Sequence, residues 1–451
     1  MLQEPESSMP STSKRPRPVT IEIIRDVEGF SNLGEQWNTL VRNSGATIYQ
    51  TFEWTWLWWK HFGSQPSRTL HLVLFYSEGT LVGIAPLFVQ ETAVAGFVLH
   101  RRLQFLGCGS AFSQSDGLFL DDGASDYLDF ITDPGHDREI CRAFVEYLKR
   151  SSSGFDDVQL VNTPEQSRLM KILRAQCVEA ELPLEVTRAD VCSRMPVPGS
   201  FEVYLREQSA NVRRRFTQAR KAYQSGGAYG IRTVGSPADL EVAFGHLVRL
   251  HQNRWNSLGY PGLFADGRFK LFQLEVARTF MEKRWLSFKT ANTNGTCVAT
   301  RLAFTFNGCL YDYLSGFDPG LSTTKQRPGL GLLLAMIEES ILSDVKQVDF
   351  LRGDEKYKFE FNPISDHNWN IQISSATAGH GVRRRLFGVL KKLRMLSYLF
   401  MREWVLLGVQ WRAHGLPRFF YSYAQFRLTC MTNKLTRRRI PSGHASKLEN
   451  N

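Results

Sequence analysis

The sequence predicts an α/β fold (α+β, with a mixed sheet) in two copies of one domain plan. A turn at Glu78-Gly79 leads into an apolar strand that ends at Val89, and a similar turn and strand recur at 295–304, about 216 residues later. The second copy begins with an expected helix at 201–223, and its antiparallel strands, the last at 309–316, lead through a glycine-containing loop into a helix at 330–343 and back to a strand at 347–351. That order is typical of a crossover connection on a mixed sheet.

Length and composition narrow the class of protein. At 451 residues the chain is too long for one hydrophobic core, and its net charge of +11 favours acidic partners such as nucleotide cofactors, RNA, anionic lipid or acidic polymers. The seven cysteines are scattered, without a C-x-x-C pair, which indicates reduced thiols in a cytoplasmic protein without a zinc site. No apolar run approaches the roughly 18 residues that span a bilayer.

Composition also divides the chain. We expect a disordered lead-in at 1–19, an N-terminal domain at 20–195, a second domain at 196–378 after the Pro196-Val-Pro-Gly-Ser linker, and a basic amphipathic tail at 379–451. Between residues 382 and 440 the tail carries fourteen Lys and Arg against one Glu. Two interpretations of the tail stay open, namely contact with an anionic membrane surface and a plain helix packed on the body.

The loop Gln326-Arg-Pro-Gly-Leu-Gly331 precedes the helix of the second copy. The first N–H groups of a helix, together with its dipole, form an anion site, and Gly329 and Gly331 would let a phosphate approach the backbone. Pro328 has no N–H to lose, and Gln326 and Arg327 could add side-chain donors. An ordinary helix start, with proline in the first turn, is the alternative.

This loop resembles the Q/R-x-x-G-x-G/A loop of the GNAT acyltransferase superfamily, which wraps the pyrophosphate of coenzyme A. More specifically, residues 200–362 resemble the acetyltransferase domain of the CelD type, a GNAT branch named for cellulose biosynthesis and related to the Fem-type peptidyltransferases. The resemblance is carried by Val212–Arg215, His251–Trp255, Arg284–Leu286, Tyr311–Pro319, Arg327–Gly329 and above all Val348–Lys358. Thr47–Trp54 and Val82–Leu87 resemble the N-terminal half of the same group.

The resemblance implies tandem GNAT-like domains with a basic helical tail. It implies an N-acyltransferase that uses acyl-CoA, expected to be acetyl-CoA, with an amine acceptor that the sequence does not identify and a link to polysaccharide or cell-envelope biosynthesis. The sequence contains no cluster of metal-ligand residues, so we expect no metal cofactor. Residues 326, 327 and 329–331 (Gln326, Arg327, Gly329, Leu330, Gly331) would bind the coenzyme. The N-terminal copy lacks a comparable glycine loop, so we expect it to be non-catalytic and to shape the acceptor cleft.

Acyl transfer needs a donor to the developing oxyanion, a base for the amine and an acid for the thiolate. GNAT enzymes usually take the first from the backbone of the strand before the loop, which here holds Tyr313, a candidate thiolate acid. Charges just past a strand's C-terminal end make Asp354 and Glu355 candidate bases.

Cationic and aromatic residues complete the predicted site. Arg352 and Lys358 could hold an anionic substrate or offset developing charge, and the resemblance to Fem-type enzymes implies a functional Lys358. Tyr357 and Trp255, within matched motifs, complete the predicted substrate site. Packing of Tyr313 and a salt-bridged turn at 352–358 are the structural alternatives.

Two other functions stay open. One is Fem-like transfer of an amino acid from aminoacyl-tRNA, and the other is a non-catalytic adaptor of a membrane-associated polysaccharide-synthesis complex. On the first reading the partners are acyl-CoA, an unknown amine and an anionic membrane surface, whereas nucleic acid is not an expected partner. We expect a cytoplasmic protein that can lie at the inner membrane face.

Overall fold

The computed structural model describes residues 18–374 apart from 109–123, 151–153, 225–227, 258–261, 319 and 321–325, and beyond them residues 386–389, 392–393, 404, 407 and 411. Most of the predicted lead-in and of the basic tail therefore lies outside the described residues. Strand β1 begins at Val19, so the described fold starts one residue before the predicted domain start.

The described residues form fifteen strands and eleven α-helices. The strands are β1 (Val19–Ile24), β2 (Arg68–Leu70), β3 (Leu72–Ser77), β4 (Thr80–Ala85), β5 (Leu87–Val94), β6 (Phe97–Phe105), β7 (Ile131–Thr132), β8 (Asp157–Pro164), β9 (Leu184–Pro196), β10 (Gly230–Thr233), β11 (Leu286–Thr293), β12 (Thr296–Phe306), β13 (Cys309–Phe317), β14 (Gln347–Arg352) and β15 (Ile364–Ser374). The α-helices are α1 (Val27–Ser31), α2 (Gly34–Ser44), α3 (Phe52–Trp58), α4 (Asp137–Arg150), α5 (Arg168–Glu179), α6 (Phe201–Glu207), α7 (Ala210–Gln224), α8 (Pro237–Ser257), α9 (Gly267–Glu282), α10 (Pro328–Ile341) and α11 (Lys356–Phe359).

Within the described residues the strands form two sheets. The larger has eleven strands in the order β10-β11-β12-β13-β14-β9-β15-β8-β6-β5-β2, and the smaller has four in the order β1-β3-β4-β7. Two neighbouring pairs of the large sheet are parallel, β13 with β14 and β6 with β8, and the other pairs are antiparallel. The mixed α/β fold predicted from the sequence is confirmed.

The repeated hairpin is also confirmed. Glu78 and Gly79 both have positive φ (51° and 79°), as do Asn294 and Gly295 (49° and 76°), and each pair joins two antiparallel strands. Two successive residues with positive φ are the signature of a tight two-residue turn whose twist matches that of the strands. The two halves of the chain thus reuse the same local device.

The halves exchange strands. Strand β9 closes the N-terminal half in sequence, yet it lies between β14 and β15 of the C-terminal half. Strand β15 in turn pairs with β8 of the N-terminal half. Pro196, at the predicted domain border, is the last residue of β9 and pairs with Gln347.

Helices cover both faces of the large sheet in the second half. On one face α8 packs directly on β13, since a Cβ on Gly316 would lie 2.8 Å from the backbone nitrogen of His251. On the other face α10 packs against β12 and α7. One continuous core joins the halves, because Trp54 of the first contacts Phe272, Phe280 and Phe304 of the second.

Two further observations concern the predicted tail and membrane contact. In the described part of the tail, the Phe387 ring stacks on His100 with their centroids 3.9 Å apart. Among the described residues, no helix combines the length and the apolar character that crossing a bilayer requires. Membrane contact of the tail stays a prediction.

Candidate functional site

The parallel strands β13 and β14 separate toward their C-terminal ends. They pair only from Cys309 to Tyr311, opposite Gln347 to Asp349, although β13 continues to Phe317. Crevices at the carboxyl ends of sheet strands are the usual ligand sites of open α/β folds. The first unpaired residues beyond Tyr311 and Asp349 therefore mark the mouth of a candidate cleft.

Helix α10 begins beside this mouth. Arg327 is its N-cap residue, with left-handed backbone (φ 39°), and no side chain caps it among the described residues. Pro328 occupies the first helical position, and the Gly331 N–H donates to the Arg327 carbonyl at 3.0 Å. The N–H groups of Gly329 and Leu330 precede that first intrahelical bond, so the helix itself offers them no acceptor.

The two glycines of the predicted loop have packing reasons to be glycine. A Cβ on Gly331 would lie 1.9 Å from the Tyr229 hydroxyl, and one on Gly329 would lie 3.2 Å from Phe317. The Tyr229 hydroxyl also donates to the Gln326 carbonyl at 3.3 Å, which anchors the loop. Gly331 is thus required by the contact of α10 with Tyr229, and its part in phosphate binding stays a prediction.

Two arginines, Arg301 and Arg254, lie between the start of α10 and the charged turn at 352–358. Arg301, buried on β12 and paired with Asp312, donates to the Gly329 carbonyl at 3.2 Å, and its guanidinium lies 6.0 Å from the Tyr357 ring. The Arg254 guanidinium lies 4.4 Å from the Phe317 ring. Burial lowers the pKa of Arg254 from its usual range.

Trp255 lies next to Arg254, whose guanidinium is 5.8 Å from the centre of the Trp255 ring. The structure therefore brings the predicted residues Gly329, Tyr357 and Trp255 into one region around Arg301 and Arg254. Sequence reasoning did not assign either arginine a role, although Arg254 lies in a matched motif.

Tyr313 lies on the opposite face of β13 from Asp312. The register shifts there, because Leu302 pairs with Leu314 and Ala303 with Asp312, which leaves Tyr313 as the extra residue of a β-bulge. Its hydroxyl donates to the Ala124 carbonyl at 2.9 Å and accepts from Gln273 Nε2 at 2.8 Å. Burial raises the pKa of Tyr313, so the hydroxyl stays protonated at neutral pH.

The turn after β14 is stabilised by hydrogen bonds from Lys358. Leu351 and Gly353 have positive φ (60° and 119°), and the buried Lys358 ammonium donates to the Arg352 carbonyl at 2.6 Å and to the Leu351 carbonyl at 3.4 Å. Lys358 also pairs with Glu355 at 2.9 Å. These contacts fix the turn, whereas Glu355 and the neighbouring Asp354 are exposed on its rim.

A largely buried polar group lies between the two halves, and sequence reasoning assigned a role to only one of its five members, Arg352. We call it the seam cluster: Tyr49, Asp126, Tyr127, Asp349 and Arg352. The Tyr127 hydroxyl donates to Asp349 Oδ1 at 3.0 Å, the Tyr49 hydroxyl donates to Asp126 Oδ2 at 3.3 Å, and Arg352 Nε contacts Asp126 Oδ1 at 2.5 Å. Arg352, predicted to bind the substrate, directs its guanidinium to Asp126 of the N-terminal half, and its role in substrate binding stays a prediction.

Asp349 is the member of the seam cluster whose carboxyl is deeply buried in the second half. Its side chain is buried, and this burial raises the pKa of its carboxyl to about 7. A carboxyl that titrates near neutrality is a common property of catalytic acids and bases. The available sequence signal was a single aspartate inside the apolar run Val348–Leu351, since ionisable residues seldom occupy buried strands without a partner.

A family model described as the acetyltransferase (GNAT) domain matches residues 210–359, about a third of the chain. The matched segment includes β13, the loop, α10, β14 and the charged turn. No curated protein sequence matches the chain.

Solved structures show similarity over most of the chain at low sequence identity. The structure of FemX is 8% identical, covers 77% of this chain and 96% of its own, and has a TM-score of 0.53. A conserved protein of unknown function from Bacteroides thetaiotaomicron VPI-5482 is 10% identical, covers 79% and 100%, and has a TM-score of 0.48. A tandem GNAT protein from the clavulanic acid biosynthesis pathway is 11% identical, covers 80% and 99%, and has a TM-score of 0.41. The family match and the FemX likeness agree on a GNAT-type acyltransferase fold.

Proposed function

We propose that the protein is an N-acyltransferase that transfers an acyl group, in the first place acetyl, from acyl-CoA to an amine. The observation that carries the proposal is the splayed β13–β14 pair beside the uncapped start of α10, within the segment that matches the GNAT domain. A helix start with unpaired N–H groups suits a pyrophosphate, and a split between parallel strands suits an extended thioester arm.

Residues of the loop and its surroundings would hold the donor. The N–H groups of Gly329 and Leu330 would bind the pyrophosphate, with Gln326, Arg327 and Arg254 adding side-chain donors. Arg301 keeps the Gly329 carbonyl occupied, which holds the start of α10 in place. The coenzyme would supply the activated thioester.

The bulge on β13 supports an oxyanion site. We assign the backbone N–H of Tyr313 as its donor, because the extra residue of a bulge is left outside the regular ladder. The Tyr313 hydroxyl donates its proton to the Ala124 carbonyl and accepts from Gln273, and so links the two halves. Because its proton is already used in this hydrogen bond, it is a poor candidate for the thiolate acid. Glu355 and Asp354, exposed on the rim, fit recognition of the acceptor better than proton transfer in a dry site.

The wider setting rests on the motif likeness. Val348–Lys358 supports the CelD type and a role in polysaccharide or cell-envelope biosynthesis, in the cytoplasm or at the inner membrane face. The N-terminal half would shape the acceptor cleft, because Tyr49 and Tyr127 reach Asp126 and Asp349 beside the splayed strands.

Calorimetric titration of the full chain with acetyl-CoA and with free CoA, at two salt concentrations, tests the donor site. We expect saturable binding to weaken at least tenfold in Arg327→Glu, since a carboxylate there would repel the pyrophosphate. Arg284→Glu is the matched control, because Arg284 is also an arginine with positive φ (60°) but is exposed and precedes β11, at the opposite end of the strands. Absence of binding, or equal losses in both variants, would reject the proposal and direct attention to aminoacyl-tRNA.

A further inference from the structure

The seam cluster is composite, since both halves of the chain contribute to it. Tyr49, Asp126 and Tyr127 belong to the first half, and Asp349 and Arg352 belong to the second. The two contacts that join the halves, Tyr127 with Asp349 and Arg352 with Asp126, connect residues 222 and 226 positions apart in the sequence. The two carboxyls are close enough for the Asp126 charge to act on Asp349.

Two buried amides beside the cluster have unsatisfied acceptors. Asn368 is 1% exposed and donates through Nδ2 to the Asp126 carbonyl at 2.7 Å, while its Oδ1 has no hydrogen-bond partner among the described residues. Gln273 is 0% exposed and donates through Nε2 to the Tyr313 hydroxyl, and its Oε1 is likewise unsatisfied. The Asn368 orientation is fixed, because a backbone carbonyl can accept only from the amide nitrogen. Buried acceptors of this kind call for a donor.

The charges of the cluster select the chemical class of that donor. Arg352 offsets the carboxylate of Asp126, whereas the donors to the Asp349 carboxyl within the described part of the chain are neutral, namely the Tyr127 hydroxyl and the Leu351 N–H. Ionised Asp349 and the amide oxygen of Asn368 are both acceptors. An alkylammonium group carries three donors and a positive charge, so it complements them, whereas an anion would be repelled.

We infer that the seam cluster binds the primary ammonium group of the acceptor and that Asp349 is the base that deprotonates it. This inference rests on the proposed function, because it names the acceptor class and the base of the same reaction. The N-terminal half is then part of the active site through Tyr127, which positions the Asp349 carboxyl, and through Asp126.

The reaction balances with these groups. The ammonium gives one proton to the Asp349 carboxylate, and the freed nitrogen lone pair attacks the thioester carbon. When the carbon–sulfur bond breaks, an amide forms, and the second proton of the nitrogen goes to the departing thiolate. Asp349 returns its proton to solvent, so one acyl-CoA and one ammonium yield one amide, one thiol and one proton.

The surroundings of Asp349 support this role near neutral pH. The groups that face it are Tyr49, Tyr127 and Asp126 of the first half, Arg194 and Cys192 of β9, and Tyr311 and Cys309 of β13, while Arg352 pairs with Asp126. Burial is the largest influence and raises the pKa of Asp349 to about 7, against the opposing effect of the Leu351 N–H and the Tyr127 hydroxyl. The carboxyl therefore ionises as pH rises through about 7.

The test uses n-butylammonium chloride as the probe and n-butanol as its uncharged counterpart, with the full chain at pH 6 and pH 8. We expect butylammonium, and not butanol, to bind in calorimetry about tenfold more tightly at pH 8, since a group of pKa about 7 changes from about a tenth to about nine tenths ionised. Asp349→Asn should abolish binding, and Tyr127→Phe should shift its pH dependence, because the phenylalanine ring cannot hydrogen-bond the carboxyl.

Asp129→Asn is the matched control. Burial also raises the pKa of the Asp129 carboxyl to about 7, as it does for Asp349. Asp129 is close in sequence to Asp126 and Tyr127, but its own partners are Ser167 and the Phe130 N–H rather than the seam cluster. Binding that is absent in the wild type, unaffected by Asp349→Asn, or equally reduced by Asp129→Asn overturns the inference. Acetyl-CoA titration of the same proteins separates the two ideas: coenzyme binding without ammonium binding rejects only the inference, and ammonium binding without coenzyme binding rejects only the acyl-CoA donor.

Discussion

At the scale of single residues, Asp349 shows how burial changes chemistry. Its carboxyl lies beside three tyrosines (Tyr49, Tyr127, Tyr311) and a second carboxyl (Asp126), away from water, so the charged form is disfavoured. Sequence analysis instead favoured Asp354 and Glu355 as bases. Charge density along the chain is readable from the sequence, but burial of one carboxyl depends on residues more than 200 positions away.

This burial predicts a pH dependence of stability. The folded-state pKa of Asp349, about 7, exceeds the unfolded value of about 4, so its protonation stabilises the native state below pH 4 and this contribution is lost as pH rises through 7. Asp349→Asn should therefore gain stability relative to the wild type between pH 4 and pH 8, by up to about 4 kcal/mol. Urea unfolding at four pH values measures the difference. His71 and His251, whose pKa values burial lowers to about 4, are common to both proteins and largely cancel in the difference. A difference in the free energy of unfolding between the two proteins that does not change with pH would contradict the raised pKa of Asp349.

At the scale of elements, the sequence predicted the strands and helix of the candidate site closely. The expected ranges 309–316, 330–343 and 347–351 correspond to β13, α10 and β14, because apolar runs bounded by glycine and proline define such elements well. One element was wrong: 201–223 was expected as a single helix, but α6 ends at Glu207 and α7 starts at Ala210. The Ser209 hydroxyl accepts from the Val212 N–H at 3.5 Å, so Ser209 starts a new helix.

The packing of α10 on Tyr229 predicts a specific rescue. Gly331→Ala should destabilise the protein by about 1–3 kcal/mol, because the new methyl group would overlap the Tyr229 hydroxyl. Tyr229→Phe removes that oxygen, and the double variant should recover part of the loss. Chemical denaturation of the wild type, both single variants and the double variant measures this coupling. If the losses in the free energy of unfolding of the two single variants simply add in the double variant, the methyl group introduced by Gly331→Ala does not overlap the Tyr229 hydroxyl.

At the scale of the whole molecule, neither half is complete without the other. If the chain were cut between residues 195 and 196, β14 and β15 would lose their partner β9, and β8 and β9 would lose their partner β15. Both fragments would then have unpaired strand edges. We expect fragments 18–195 and 196–378 to aggregate or lack a cooperative unfolding transition when expressed alone, and to co-purify when expressed together. Cooperative unfolding of either fragment alone would contradict this. The sequence revealed two copies of one plan but not the exchange, since strand order between distant segments leaves no local pattern.

The exchange of β9 and β15 also has a consequence during synthesis. Strand β15 is made about 180 residues after β9, which at 5–20 residues per second leaves β9 without this partner for roughly 10 to 40 s on the ribosome. The other neighbour of β9, strand β14, is also made in the second half, so during that interval β9 lacks both strands that flank it, and unpaired strands invite pairing with other nascent chains. Its exposed positions carry Glu185, Arg188 and Asp190, and charged side chains on an edge discourage such pairing. The polar character of β9 thus protects the nascent chain until the second half arrives to close the sheet.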